Sequence, residues 1–350
     1  MIPDSFAFCL LEDRDLSEGG LRLAMASLRA HYPNVPIAAH RPNASADFIA
    51  WAALLVNVTV VTQPLDGASS WNCKPHALLN TMRLFGVTRV MWIDSDMMLA
   101  RPFDYLLGSD DEIVVAQEAL SQPNQGGCDR AEGWGFDCAR DFGCSINSSL
   151  LYVTTRHMQL LHHWIALLGS PAYVASQGKT FDQRPISHLG DQDVLQALLC
   201  SVEHAHIPIR FIHSGTEVIH SGGALGYALR DRLRGLTRRM PPFVHAIGTK
   251  PWWCLYADHR SKYRNWRAVY RRLLVEASPY MLLARRYKDR IDLQAEWLDF
   301  SSPEGMALRT IALGHYALQA WPLCAGATAI AALTRRSKPR ARHTRGAAES

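Results

Sequence analysis

The feature that most constrains this chain is a repeated change of hydrophobic period over residues 6–62. An unbroken apolar run, Phe6-Ala7-Phe8-Cys9-Leu10-Leu11, gives way to a helix-period pattern from Glu18 to His31. A strand-like Val35–His40, a second helix pattern over Ala46–Val56 and a strand-like Asn57–Thr62 follow. Parallel strands need long crossovers, which helices supply, and those helices cover both faces of the sheet. The expected class is therefore α/β, with a mostly parallel sheet flanked by helices. The 350 residues, 48% of them hydrophobic, suffice for a sizeable core and for two domains of ordinary size. The first strand runs into Leu11-Glu12-Asp13-Arg14, and Gly19-Gly20 alone does not make a Gly-x-Gly-x-x-Gly dinucleotide fingerprint.

A buried strand is expected again at Val90-Met91-Trp92-Ile93, and it ends in Asp94-Ser95-Asp96. Ligands of open α/β sheets bind at the carboxyl edge, so two carboxylates there suit a hard divalent cation bridging to a diphosphate. The plainer alternative is a strand end turning polar as it meets water. Ser70-Trp71-Asn72-Cys73-Lys74-Pro75 opens a helix to about Phe85, closed by Gly86, which puts Lys74 at the same edge. As a single lysine it can equally be a solvated helix start.

Beyond Pro102 the pattern predicts a short helix at Phe103–Leu107 and a strand at Glu112–Gln117. Residues 118–145 then form a long glycine-bearing stretch, in which Trp134 and Phe136 suit a mobile flap over a sugar or ring; a disordered insertion is the alternative. A strand at Ile146–Val153 and a helix at Arg156–Leu168 follow, the latter with His157, His162 and His163 on its polar face. After irregular residues 170–190, Asp191 can cap a helix with Gln192 and Asp193 in its first turn, more polar groups than a cap needs. A helix pattern at Leu225–Leu236 precedes the strand-like Pro242–Trp252, where His245 has the bland reading of a core histidine and Gly248 and Lys250 suit a diphosphate grip.

The net charge of +5 hides an asymmetry. Residues 1–229 hold 14 Lys and Arg against 23 Asp and Glu, whereas residues 230–350 hold 23 against 9. A basic carboxyl-terminal third implies an anionic partner, and with no nucleic-acid motif in it an anionic membrane surface is expected rather than nucleic acid. Arg271–Arg290 reads as a basic helical segment. Thr310–Thr334 carries no Asp, Glu, Lys or Arg over 25 residues, but Gly314, His315, Gln319, Pro322 and Gly326 interrupt it. A helix in the membrane interface, or a shallow hairpin around Pro322, is expected in preference to a span; a buried soluble helix is the alternative. Met1-Ile2-Pro3-Asp4-Ser5 has neither a basic start nor a cleavable apolar stretch, so a cytoplasmic enzyme, peripheral at the inner membrane face, is expected. The eight cysteines fit this: there is no Cys-x-x-Cys, and Cys128, Cys138 and Cys144, clustered in one glycine-rich stretch, could bind metal or pair but read as loop thiols.

The Ile93-Asp94-Ser95-Asp96 strand end, Asn147 after a long loop, Asp191-Gln192-Asp193 and His245-Ala246-Ile247-Gly248-Thr249-Lys250-Pro251-Trp252 together resemble retaining nucleotide-sugar glycosyltransferases of the GT-A type, nearest to glycosyltransferase family 8. The resemblance spans residues 6–253. It implies a Rossmann-like GT-A fold over residues 1–253; outside the resemblance, the residues themselves lead us to expect a helical, membrane-associated extension over 254–334 and a basic disordered tail over 335–350. The resemblance also implies a Mn²⁺ (or Mg²⁺) held by Asp94, Asp96 and His245, with Lys250 and Gly248 at the diphosphate of a UDP-sugar. Asn147, Asp191 and Gln192 would hold the donor sugar near its anomeric carbon, and Lys74 matches the basic residue before the aspartate strand. Three departures stand out: one residue rather than two between Gly248 and Lys250, Ser148 after Asn147, and no hydroxyl residue at the end of the first strand. The acceptor could be a glycan, a lipid-linked sugar or a protein. The rival reading is a catalytically silent sugar- or nucleotide-binding protein on the same fold, and a nucleotidyltransferase is disfavoured by the missing phosphate loop.

Overall fold

The computed structural model describes residues 5–14, 18–65, 70–119, 127–221, 226–248, 250–255, 265–292 and 295–337. Residues 120–126, residue 249 and most of the expected tail, from 338 on, lie outside them.

Strands β1 (Phe6–Leu11), β2 (Ile37–His40), β3 (Val58–Val61) and β4 (Arg89–Ile93) form one sheet with β6 (Ile113–Gln117), β7 (Ile146–Thr154) and β8 (Ile209–Ile212), after the short β5 (Met97–Leu99) has left it. The order is β3-β2-β1-β4-β7-β6-β8. All neighbours pair in parallel except β7, which is antiparallel to both β4 and β6. The expected mixed, mostly parallel sheet is thus what forms. The chain winds outward from β1 to β3 and then returns to the other side of β1 as β4. This creates a topological switch point between β1 and β4, and a crevice opens outside their carboxyl ends.

Both faces of the sheet are covered, which is why β1 reads as a continuous apolar run. Phe6, Phe8 and Leu10 pack with α1 (Gly19–His31) and α2 (Ala46–Ala53), whereas Ala7, Cys9 and Leu11 face α3 (Lys74–Phe85). Burying each such phenylalanine stabilises the fold by about 1.5–3 kcal/mol. Gly86 ends α3 at φ +62°, in the left-handed region that glycine adopts without strain. After the short α4 (Cys128–Glu132), helices α5 (Met158–Leu168), α6 (Pro171–Gln177) and α7 (Asp191–Cys200) complete the second face.

A second sheet, β5-β10-β9, comprises β5, β9 (Val218–Ser221) and β10 (Phe243–Ala246), with α8 (Leu229–Gly235) before β10 and α9 (Pro251–Cys254) after it. Beyond residue 264 the chain forms α10 (Trp266–Glu276), α11 (Pro279–Ala284), a 3₁₀ turn over Arg285–Arg290, α12 (Glu296–Asp299), α13 (Pro303–Ile311) and α14 (Trp321–Ser337). The single basic helix expected at 271–290 is therefore three pieces, broken where Ser278 caps a new helix. These helices share one apolar cluster with the small sheet: Tyr280, Trp297, Tyr316 and Ala317 join Met98, Ile219, Val244 and Trp252. Residues 310–334 are not a continuous interfacial helix, because left-handed Leu313, Gly314 and Ala320 turn the chain and bury Tyr316, Ala320 and Cys324. Among the described residues no helix is long and apolar enough to cross a membrane.

Three further expectations change. Trp134 and Phe136 are anchored rather than flap-like: Trp134 Nε1 donates to the Ser187 carbonyl at 3.0 Å, its ring stacks on His188, and Phe136 meets His163 edge-on. Cys128 and Cys138 are not loop thiols but a disulfide, since α4 and the bridge from Cys138 to Ser201 bring their Cα atoms to 5.3 Å. His157 leaves the polar face of its helix as well; it is buried, and its Nδ1 accepts from the Thr154 amide.

Candidate functional site

The crevice at the switch point is a cavity of about 780 Å³. Its floor comes from the ends of β1 and β4 and the start of the antiparallel β7, and its walls from the starts of α3 and α7 and the segment after β10. All nine residues singled out above line it: Lys74, Asp94, Asp96, Asn147, Asp191, Gln192, His245, Gly248 and Lys250.

Asp94, Asp96 and His245 offer three ligand atoms that all lie within 4.8 Å of one another. The sheets explain the convergence. β4 ends at Ile93, the chain turns from Asp94, with the Met97 amide donating to the Asp94 carbonyl at 2.9 Å, and β5 pairs with β10 so that Met97 lies opposite His245. Asp94 Oδ1 accepts from Trp92 Nε1 at 2.7 Å and lies 3.5 Å from Lys74 Nζ. Asp96 is buried. Its Oδ1 lies 3.2 Å from His245 Nε2 yet receives no hydrogen bond, while its Oδ2 is in contact with the Lys250 ammonium. Burial alone would raise this carboxyl, but the Lys250 ammonium against it outweighs burial and holds it well below the usual carboxylate range.

His245 is oriented by a residue that sequence reasoning missed. On the parallel neighbour β9, His220 sits beside it; His220 Nε2 is 2.9 Å from the Gln117 carbonyl and His220 Nδ1 is 3.0 Å from His245 Nδ1. A carbonyl can only accept, so His220 carries its proton on Nε2 and accepts at Nδ1 from His245 Nδ1–H. The lone pair of His245 Nε2 then faces Asp96. Two carboxylates and an imidazole lone pair, with an orphaned buried carboxylate oxygen among them, fit a divalent cation, and Mn²⁺ tolerates nitrogen better than Mg²⁺.

The opposite wall holds a buried network. Lys74 Nζ donates to Ser148 Oγ at 2.6 Å, Ser148 Oγ donates to Asp191 Oδ2 at 2.7 Å, and the Lys74 to Asp191 ion pair spans 3.1 Å. Burial works against the Lys74 ammonium, but Asp191 and Asp94 outweigh it and raise its pKa. Gly190, not Asp191, is the cap residue of α7, and Asp191 occupies its first turn, where the helix dipole favours a carboxylate. Asp193 points elsewhere, to a buried ion pair with Arg130 at 2.8 Å; burial nonetheless raises it to about 6. Asn147 donates to Glu118 Oε2 at 2.7 Å and accepts from the Ser149 amide. Gly248 sits at φ +75° with open space where a side chain would be, so its conformation rather than its size calls for glycine.

At the β1 end Glu12 binds both Arg14 and Ser95 Oγ, and Arg14 stacks on Trp253. Trp71 and Phe181, both largely exposed, flank the mouth. Of these, only Glu12 and its neighbours were marked in the sequence, by their place at a strand end.

No family model matches the sequence, and no curated protein matches it. The fold is similar to glycosyltransferases of known structure. It aligns with the bifunctional WbbM in its apo form at 12% identity and a TM-score of 0.46, over 72% of this chain and 48% of that one. It aligns with GlyE of Streptococcus pneumoniae at 14% identity and 0.45, over 70% and 56% of the two chains. With the galactosyltransferase LgtC, bound to donor and acceptor sugar analogues, the values are 16% and 0.47, over 84% and 100%. The chain thus spans about half the length of the first two, 48% and 56%.

Proposed function

We propose that this chain is a metal-dependent GT-A glycosyltransferase that moves a sugar from a nucleotide diphosphate donor, a UDP-sugar, to an acceptor with retention of configuration. One observation carries the reading: two carboxylates, an oriented imidazole, two buried lysines, and an Asp-Gln pair at a helix start converge on one cleft at the switch point of the sheet. A solvated strand end would not gather them.

Asp94, Asp96 and His245 would hold Mn²⁺ or Mg²⁺, which supplies Lewis-acid neutralisation of the charge developing on a leaving phosphate. The chain's own groups complete the task. Lys250 gives its ammonium to the diphosphate on leaving Asp96, and Gly248 lets the backbone come close. Leu11–Arg14 receive the nucleoside at the end of β1, and Asn147 orients sugar hydroxyls. The two contacts to Asp191, from Lys74 and Ser148, engage Oδ2 alone, leaving a fixed carboxylate with Gln192 beside it to stabilise positive charge at the anomeric carbon. The acceptor is proposed to lie at an anionic membrane surface met by the basic carboxyl-terminal third, where Leu313 and Ile311 are exposed.

The test is Asp96→Asn with a panel of nucleotide sugars. Mn²⁺-dependent thermal stabilisation by the donor and Mn²⁺-dependent donor hydrolysis should both vanish while the fold persists. Undiminished Mn²⁺-dependent turnover overturns the metal assignment, and donor binding by the parent chain without any turnover favours the silent binding protein.

A further inference from the structure

A second cavity, of about 330 Å³, lies at the seam between the small sheet and the carboxyl-terminal helices. Four arginines from three chain segments line it: Arg101 after β5, Arg238 and Arg239 before β10, and Arg286 in the turn after α11. His315 adds an imidazole, and Gly314, at φ +72°, adds open backbone. Among the described residues no Asp or Glu lines this cavity, and none of the four guanidiniums forms a salt bridge. Arg101 is instead fixed by neutral groups: its Nε donates to the Met240 carbonyl at 2.9 Å and its Nη2 to Tyr105 Oη at 2.8 Å. His315 Nδ1 accepts from the Ala317 amide at 3.2 Å, so the proton of the neutral ring is on Nε2, and that nitrogen is a donor.

Like charges gathered in a concavity repel one another unless an anion joins them. Several basic residues elsewhere do have carboxylate partners: Arg89 pairs with Asp110, Arg156 with Asp111, Lys288 with Asp299. Here, among the described residues, the four clustered guanidiniums have no such partner. Planar guanidinium forks match the oxygens of a phosphate, and the cavity has room for such a group with a small organic substituent. We propose that this cavity binds a phosphoryl group, carried by a soluble phosphate ester or by a phospholipid headgroup.

The site is separate from the cleft. Asp96 and His245 lie at one end of the β5–β10 ladder, Ala100 and Met240 at the other, with Ala100 N donating to the Pro242 carbonyl at 2.7 Å. Strand rise puts the two sites roughly 13 Å apart. The proposal therefore does not depend on the donor chemistry, and the two can fail separately.

The test compares the full chain with an Arg238→Glu/Arg286→Glu variant in a metal-free buffer. Both arginines are exposed and without ion pairs, so the variant should fold, which far-UV circular dichroism checks. Two probes are titrated by calorimetry and flotation: inorganic phosphate, and vesicles of phosphatidylglycerol against phosphatidylcholine. The parent should bind at least one probe, with a salt dependence reflecting several cationic contacts, and the variant should bind it tenfold or more weakly while keeping Mn²⁺ binding at the cleft. Binding of free phosphate identifies a soluble ligand; binding confined to phosphatidylglycerol vesicles identifies a headgroup. Binding of neither probe by the parent, or equal binding by the variant, overturns the site.

Discussion

Lys250 and Asp96 are tied to each other in the described structure, and the same pair is proposed to serve donor and metal, so the two roles compete. Replacing Lys250 by Met removes a cation that occupies a metal-ligand oxygen. Mn²⁺ alone should then bind more tightly, whereas donor turnover should fall by about tenfold or more, because the diphosphate loses its ammonium. Calorimetry with Mn²⁺ and a hydrolysis assay read the two effects; weaker Mn²⁺ binding in the variant contradicts this account. A second residue reports on stability. His40 is fully buried at the end of β2, its Nε2 3.1 Å from Thr81 Oγ1, and burial lowers its imidazole to about 4. Its folded pKa lies below the ordinary value of about 6.5, so below that pH the unfolded chain takes up a proton that the folded chain refuses. The stability is complete above pH 6.5 and is lost as pH falls toward 4, by up to about 3 kcal/mol. His40→Gln keeps a donor for Thr81 but does not titrate, so its urea-unfolding free energy should fall less steeply across this window. Equal slopes would remove His40 from the explanation.

The elements matter through their ends. Helix α7 starts where the sheet stops, which aims Asp191 and Gln192 into the cleft and sends Asp193 back to Arg130. Asp191→Asn keeps the shape and the Ser148 hydrogen bond, and Gln192→Ala removes an amide for which no hydrogen bond is seen among the described residues. Both should lower kcat, the first by about a hundredfold, while nucleoside diphosphate affinity stays within about threefold, since neither side chain is proposed to touch the nucleotide. A collapse of nucleotide affinity in either variant places them wrongly. Element type was legible wherever an apolar period ran for several turns or a whole strand, as in β1, α1 and α3. The three-residue β5 and the four-residue β8 and β9 were not: strands that short carry few alternations, and the equally short β2, β3 and β10 stood out only because each lies in a longer strand-like run, Val35–His40, Asn57–Thr62 and Pro242–Trp252. With β9 went His220, whose role exists only through its register against His245.

The carboxyl-terminal helices belong to the same packed body as the small sheet. Removing residues after Ile311 strips Tyr316, Ala317, Ala320 and Cys324 from two apolar clusters, and should lower the melting temperature by about 5 °C or more, as seen by calorimetry. An unchanged melting temperature would show these contacts to be dispensable. Here the sequence was least informative: an uncharged stretch with polar interruptions looks alike whether it lies on a membrane or inside a core. The alternation of strands and helices, the strand ending in Asp94 and Asp96, and the helix opening at Asp191 were settled locally, by side-chain sterics and by the period with which apolar groups recur. Chain convergence decided the rest. Whether Lys74 met water or Asp191, whether Cys128 met Cys138, and whether four arginines faced one cavity depended on segments distant in sequence, and such contacts form only when the whole chain buries its apolar surface together.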